Sequence, residues 1–424
     1  MMTIRPITTK KINIVLVLIA MNLFSCQQEK PQETKQSKTY ESASYKRFRE
    51  GKIRYEKFNE FNTQFKFVKL QGFEFDKGVE RYYPSSIVEV DSTYYMWYSK
   101  PMSNAEVVGP NEATDSLRAF HWDLCEVWYA TSTDGYKWEE QGIAVHRGTA
   151  GRYNHRSVFN PDILVANGKY YLAYQAAESI KDARWSKQFK TSGDFVPNVI
   201  GMSVADSPTG PWKALDEPIL KPGPQQDAWD GEVIHEPTFF VKGGQYFLYY
   251  KSHGRLPWTP NISSGKFNKE HADMPLATGV AIADNPEGPY IKSKYNPVLM
   301  GGHGSMVWPY RNGVCATLPE GPERNSILFS EDGINFHPVI QGLTIPKGGG
   351  CYRSGHFTDV DVQPGKGLTW GIGHELYPYY HFVRFECNLS LEKGDKVQKE
   401  HQTVQDYMNS DTYEYDSRLN PNSK

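Results

Sequence analysis

Hydrophobic and polar residues alternate along Pro84–Tyr98 (PSSIVEVDSTYYMWY), break at Asp91-Ser92, and resume in an aromatic run ending in tyrosine. Alternation with a period of two on both sides of a turn pair predicts two strands of a hairpin. The plan returns in Pro161–Tyr174 (PDILVANGKYYLAY) and Pro237–Tyr250 (PTFFVKGGQYFLYY). The three prolines stand 77 and 76 residues apart (161 − 84 and 237 − 161). A second unit follows each of these: Val127–Trp138, Gly201–Trp212 and Gly279–Tyr290 are short strands with an Asp- and Gly-containing turn and a closing aromatic. Val307–Thr317 with Ser326–Phe336 makes a weaker fourth pair, and the chain from Tyr352 to Leu389 (HFTDVDV, LTWGIGH, YYHFVRFECNL) is left to supply a fifth. Two hairpins make a four-stranded sheet, which buries both faces only by packing on copies of itself. The expected fold is therefore all-β, a five-bladed β-propeller over residues 71–390.

That architecture says where chemistry belongs. The innermost strand of each blade starts beside the central channel, so residues about 76 apart in sequence meet around one mouth. They are Tyr83, Asn160 and Glu236, each preceding a repeated proline, with His235 beside the last. The fourth unit begins with Gly301-Gly302-His303-Gly304-Ser305, which sets His303 at the same level among glycines that allow close approach of backbone to ligand.

Outside the repeat, Tyr40–Phe67 carries Tyr45, Phe48, Ile53, Tyr55, Phe58 and Phe61 among charged residues, with Ser42 as a cap. This spacing predicts an N-terminal helical arm over 40–70, broken near Gly51. Such an arm either covers its own propeller or packs on a second subunit, as in a homodimer. Arg5, Lys10 and Lys11 precede an apolar run, Ile12–Phe24, that is short for a membrane span and closes on Ser25-Cys26. Residues 1–26 thus read as a lipoprotein signal with Cys26 as the lipidated residue, and 27–39 as a polar tether. An exported protein, lipid-anchored to the bacterial cell envelope, is expected. Residues 391–424 read as a polar tail.

A net charge of −2 gives no basic excess for nucleic acid. The aromatic content, 14 %, suits both blade packing and stacking on sugar rings. Cys125, Cys315, Cys351 and Cys387 follow no zinc spacing and leave open disulfides or burial as small hydrophobes. No metal ligand set and no cofactor is expected.

Gly78–Ser86 (GVERYYPSS), Trp122–Ser132 (WDLCEVWYATS), Arg156–Leu164 (RSVFNPDIL), Gly279–Tyr290 (GVAIADNPEGPY) and Gly302–Tyr310 (GHGSMVWPY) resemble glycoside hydrolase family 117. Those enzymes are five-bladed propellers, related to family 43, that release 3,6-anhydro-L-galactose from neoagaro-oligosaccharides. Ser42–Arg47 resembles the family's helical Ser-x-Ala-x-x-Arg signature, with Ser44 in the alanine place, and in the family this arm mediates dimers. The resemblance implies catalytic positions at Tyr83, Glu236 and His303. In the family an Asp taken as general base stands at the first, an Asp at the second, and a Glu at the place of Gly304. Only His303, proposed in the family as an unusual general acid, is kept.

Inverting hydrolysis uses an acid for the leaving oxygen and a base for water, usually carboxyls about 6.5–9.5 Å apart. Tyr83, with an ordinary pKa near 10, is a poor base at neutral pH. A tyrosine nucleophile assisted by a carboxylate, here Tyr83 with Glu236, has precedent in sialidases. Asp162, Glu126, Asp123, Asp230 and Glu232 are further carboxylates in the motifs, with capping or strand-end roles as the alternative. Arg81, Arg156, Glu126, Trp128, Asp162 and His235 are candidate sugar contacts, the arginines as clamps for hydroxyls or an anionic substituent. Two functions stay open: an exo-acting hydrolase of galactan-type oligosaccharides with an altered catalytic set, and an inactive paralogue that binds an oligosaccharide in the same pocket.

Overall fold

The computed structural model describes residues 40–51, 65–102, 107–109, 112–114, 116–178, 198–223, 228–231, 233–253, 276–341, 343–353, 357–375 and 380–387. The expected signal, tether and lipidation site at Cys26, arm residues 52–64 and the tail lie outside them. The described strands form five antiparallel sheets, and the fold is a five-bladed β-propeller. Blade one runs outward through Val88–Val90, Thr93–Pro101, Cys125–Ser132 and Glu139–Val145. Blade two follows with Ser157–Ala166, Lys169–Ala177, Val199–Ala205 and Lys213–Ala214, and blade three with His235–Lys242, Gln245–His253, Leu276–Ala283 and Ile291–Lys292. Blade four holds Val307–Arg311, Gly313–Leu318, Ser326–Ser330 and His337–Gln341, with Gly365–Lys366 added on its inner edge.

The inner hairpins turn where the sequence placed turn pairs. Asp91-Ser92, Asn167-Gly168 and Gly243-Gly244 all have positive φ, between 49° and 72°. Two successive left-handed residues give the turn whose twist matches the flanking strands.

Blade five departs from the sequence expectation. Its inner strand is only Gly350–Cys351, followed outward by Trp370–Glu375 and His381–Glu386. The described part of HFTDVDV, Phe357–Val362, contributes no strand. Instead Asp359 accepts from the backbone N–H of Gly243, at 2.9 Å, and of Gly244, holding the segment from Phe357 onward against the blade-three turn. The outermost strand is Lys66–Lys69, paired with His381–Glu386 in the register Lys66↔Glu386. The helical span 40–70 is therefore corrected at its end: Lys66–Lys69 joins the last blade, and the first and last strands together close the ring. Closure leaves no open seam between the first and last blades.

Adjacent blades bury apolar faces on one another. Trp97, Tyr174 and Tyr250 lie in one continuous cluster, and Phe240, Val307 and Phe336 fill another. Cys125, Cys315, Cys351 and Cys387 are buried and form no disulfide, so burial rather than bridging is their role here.

The arm forms one described helix, Ala43–Arg49, capped by Ser42, whose hydroxyl accepts from Tyr45 N at 3.1 Å. It docks on its own propeller. Arg47 makes a fork to Glu323 Oε1 at 2.9 and 2.7 Å and donates to Phe336 O, while Ser44 donates to the same buried Glu323. The Ser-x-Ser-x-x-Arg spacing puts Ser44 and Arg47 three residues apart on one helix face, where both reach one carboxylate.

Candidate active site

Proline has no N–H, and the residue before it avoids the right-handed helical region. Each repeated proline therefore interrupts the strand ladder, and register shifts fall at Asn160-Pro161 and at Glu236-Pro237. The preceding residue takes up the strain. Tyr83, Asn160 and Glu236 have φ of 50°, 50° and 52°, and His303 in the fourth blade has 65°. A side chain in this region costs about 1–2 kcal/mol, and bulges of this kind re-aim side chains. Here Tyr83, Asn160, Glu236 and Gly304 line one cavity of about 30 Å³ at the channel, room for about two waters.

Glu236 is the charged centre of that group. One carboxylate oxygen accepts from Lys251 Nζ and the other from Gly304 N at 2.7 Å. Burial opposes ionisation, but Lys251, His303 and the Gly304 N–H outweigh it and hold the carboxyl below its ordinary range. Glu236 is thus an anion at neutral pH, although its side chain is only 10 % exposed.

Tyr83 lies against it and stays protonated, because burial and then the negative charge of Glu236 push its phenol well above 10. The Tyr83 ring sits edge-on to His374 at 4.7 Å and parallel to His303 at 6.3 Å. Its backbone N–H donates to His374 Nδ1 at 3.1 Å. Burial, with His303 and Lys347 nearby, lowers His374 to about 3, so this imidazole is a neutral support.

His303 Nδ1 lies 2.9 Å from Glu320 Oε2. The hydrogen bond from His303, opposed by partial burial, lowers the Glu320 carboxyl. An ionised carboxylate only accepts, so the proton of this bond is on Nδ1. Nε2 is the ring nitrogen left to exchange a proton with a ligand.

On the other side, Asn160 Nδ2 donates to Gln175 Oε1 at 2.9 Å, and Gln175 Nε2 lies 2.5 Å from His235 Nδ1. Asp162 lines the same cavity, where its two oxygens accept from Ser86 N at 2.8 Å and Phe239 N at 3.0 Å, with Arg353 at 3.6 Å. It ties the inner strands of three blades.

The remaining candidates lie apart from the mouth. Arg81 pairs with Glu140 at 3.0 Å, and Trp128 carries Lys100 over its ring at 3.9 Å. Arg156 forks onto Asp123, both bonds 2.7 Å, and donates to the carbonyls of Thr114 and Leu117. Glu126 accepts from His146 Nδ1 at 3.0 Å. Asp230 pairs with Lys292 at 2.6 Å, and Glu232 is outside the described residues.

Sequence reasoning missed Lys251, Gln175 and Glu320. The first two carried a signal: Ser99, Gln175 and Lys251 each follow the tyrosine that ends a repeated hairpin, at intervals of 76 (175 − 99 and 251 − 175). Each supports a mouth residue, with Ser99 Oγ accepting from Asn160 N at 2.7 Å. Glu320 carried none, since it lies in a blade-four loop with no counterpart in the repeat.

Among solved structures the chain is similar to Zg3597, a family 117 glycoside hydrolase produced by the marine bacterium Zobellia galactanivorans. The identity is 33 % over 81 % of this chain and 97 % of that one, with a TM-score of 0.66. Two others share the fold: BT0996 in an RGII complex, at 12 % identity over 85 % of this chain and 100 % of that one, TM-score 0.51, and a glycoside hydrolase at 13 % over 80 % and 95 %, TM-score 0.50. No family model and no curated protein matches the chain.

Proposed function

The chain belongs to glycoside hydrolase family 117, and from that premise we propose that it is an exo-acting hydrolase of galactan-type oligosaccharides with a rebuilt catalytic set. The observation that carries this is an ionised Glu236 held in the channel mouth beside a histidine, His303, that is itself paired to a carboxylate. In the proposed reaction His303, as imidazolium, gives its Nε2 proton to the glycosidic oxygen while the bond from that oxygen to the anomeric carbon breaks. A water attacks the anomeric carbon and its proton passes to Glu236. Tyr83 stays neutral and offers its ring and hydroxyl to the sugar. The terminal ring is placed at the channel mouth, against Tyr83 and Glu236, which line the cavity there. The membership supports the substrate class.

The alternative, a sugar-binding paralogue without turnover, draws on a specific observation. Both Glu236 oxygens already accept hydrogen bonds, and the protonated Tyr83 stands where the family has its base. The purified chain is to be incubated with agar, carrageenan and porphyran oligosaccharides, with melting temperatures and products followed. Cleavage that is lost in Glu236→Gln and in His303→Ala is the expected result. An oligosaccharide that raises the melting temperature and is recovered intact contradicts turnover. We also propose export with a lipid anchor on Cys26 and, in addition to the arm's contact with its own propeller, a homodimer through the arm; a palmitate label lost in Cys26→Ala and a dimer mass in sedimentation are the checks.

A further inference from the structure

We propose that Glu320 is a positioning residue for His303, supplying from a separate loop the carboxylate that fixes the orientation and tautomer of the imidazole. The proposal rests on the hydrolase reading above and assigns that site a member outside the repeat. Three observations carry it.

The first is the contact itself, Nδ1 to Oε2 at 2.9 Å, with His303 43 % and Glu320 48 % exposed, so the pair stands at the rim facing solvent. The second is the backbone beneath it. Gly302 N donates to Glu320 O at 3.0 Å and Glu320 N to Gly302 O at 3.3 Å, an antiparallel bridge that fixes the two side chains' origins relative to each other. Glycine is needed on the histidine side, because a Cβ at Gly301 would lie 2.5 Å from Glu320 O.

The third is the exclusion of a nearer donor. Gly304 has φ of 79°, and a Cβ there would lie 2.4 Å from Gly348 N and 2.5 Å from Gly348 Cα. Gly348 in turn is pressed against His374, whose ring would meet a Cβ at 2.0 Å. The entry to blade five thus fills the space a side chain at 304 needs, so the next residue in sequence cannot give His303 a carboxylate. A hydrogen bond at Nδ1 sets which nitrogen meets the substrate.

The titratable groups facing the pair are Glu236 and Tyr83 at the mouth, Lys251 from blade three, and Lys347 and His374 from blade five. Lys251 and Lys347 act on Glu320 in the same sense as His303, so the test must isolate the histidine.

The full chain, labelled with 13C at glutamate carboxyls, is titrated by NMR in the wild type and in His303→Ala, with Glu320→Gln identifying the resonance. Glu320 is expected to titrate below the ordinary glutamate range in the wild type and to move up toward it in His303→Ala. Identical titration in both overturns the pairing, and this arm needs no substrate. The second arm uses an oligosaccharide that the wild type cleaves. In Glu320→Gln, kcat is expected to fall by about 10²-fold with KM little changed, and Glu320→Asp to recover part of the loss. A loss that falls on KM instead of kcat, or no loss, overturns the role. A wild type that cleaves nothing on the panel refutes the hydrolase reading and with it the catalytic use of the pair, while the NMR arm still decides the pairing separately.

Discussion

Replacing Lys251 with methionine isolates the contribution of one charge to this site. The ammonium and the Glu236 carboxylate are 9 % and 10 % exposed, so neither is well solvated. Removing one member of such a buried pair leaves an uncompensated charge and costs about 3–5 kcal/mol. The lower figure applies, because the Gly304 N–H and His303 remain beside Glu236. At roughly 2.1 cal/mol/K per residue over about 320 propeller residues, a 3 kcal/mol loss lowers Tm by about 4–5 °C.

The pH dependence gives the sharper test. In the wild type the carboxyl is depressed, so its stabilisation is present above the unfolded-state range near 4.5 and is lost as pH falls through its folded value. Without Lys251 the carboxyl rises and protonates more readily. The gap between wild type and Lys251→Met is therefore expected to be largest near pH 8 and to shrink below pH 5. Calorimetric melts at pH 5 and pH 8 measure it, with Lys251→Met/Glu236→Gln as the control expected to recover most of the loss. A gap that does not change with pH, or a double variant no better than the single one, refutes the electrostatic account of this pair.

Two further outcomes follow from the geometry. Glu375, buried beside His374 in the chain, is pushed up to about 7 by desolvation. A raised carboxyl favours the native state only while protonated, so stability falls as pH rises from about 4.5 to about 7; Glu375→Gln is expected to be more stable at pH 8 by up to about 3 kcal/mol and to lose that advantage below pH 4.5, and equal melts at pH 8 contradict this. Gly304→Ala puts a Cβ 2.4 Å from Gly348 N at a positive φ, and is expected to cost about 2 kcal/mol or more in denaturant unfolding. An unchanged midpoint shows that the blade-five entry yields without cost.

The sheets and the site were unequally legible in the sequence, for physical reasons. Blades repeat because each must present the same two faces to its neighbours, so prolines at 84, 161 and 237 announced both the hairpins and the mouth. Tyr83, Asn160 and Glu236 meet there as the spacing required. Lys66–Lys69 was not legible: four residues are too short to show alternation, and their partner Glu386 is fixed only when the ring closes. Arg81 and Arg156 have the chemistry of a sugar clamp, but Glu140 and Asp123 answer them, and nothing local in the sequence pairs residues 59 or 33 positions apart. Glu320 reaches His303 through a bridge between a glycine entry and a loop, both outside the repeated plan.

The most direct measurement is a crystal structure of Glu236→Gln with a galactan-type oligosaccharide bound. The non-reducing terminal sugar is expected over the channel mouth, against the Tyr83 ring, with the glycosidic oxygen within hydrogen-bond reach of His303 Nε2 and a water beside residue 236. A sugar bound away from the mouth, or seated there with its glycosidic oxygen turned from His303, contradicts the assignment of this constellation as the site of hydrolysis.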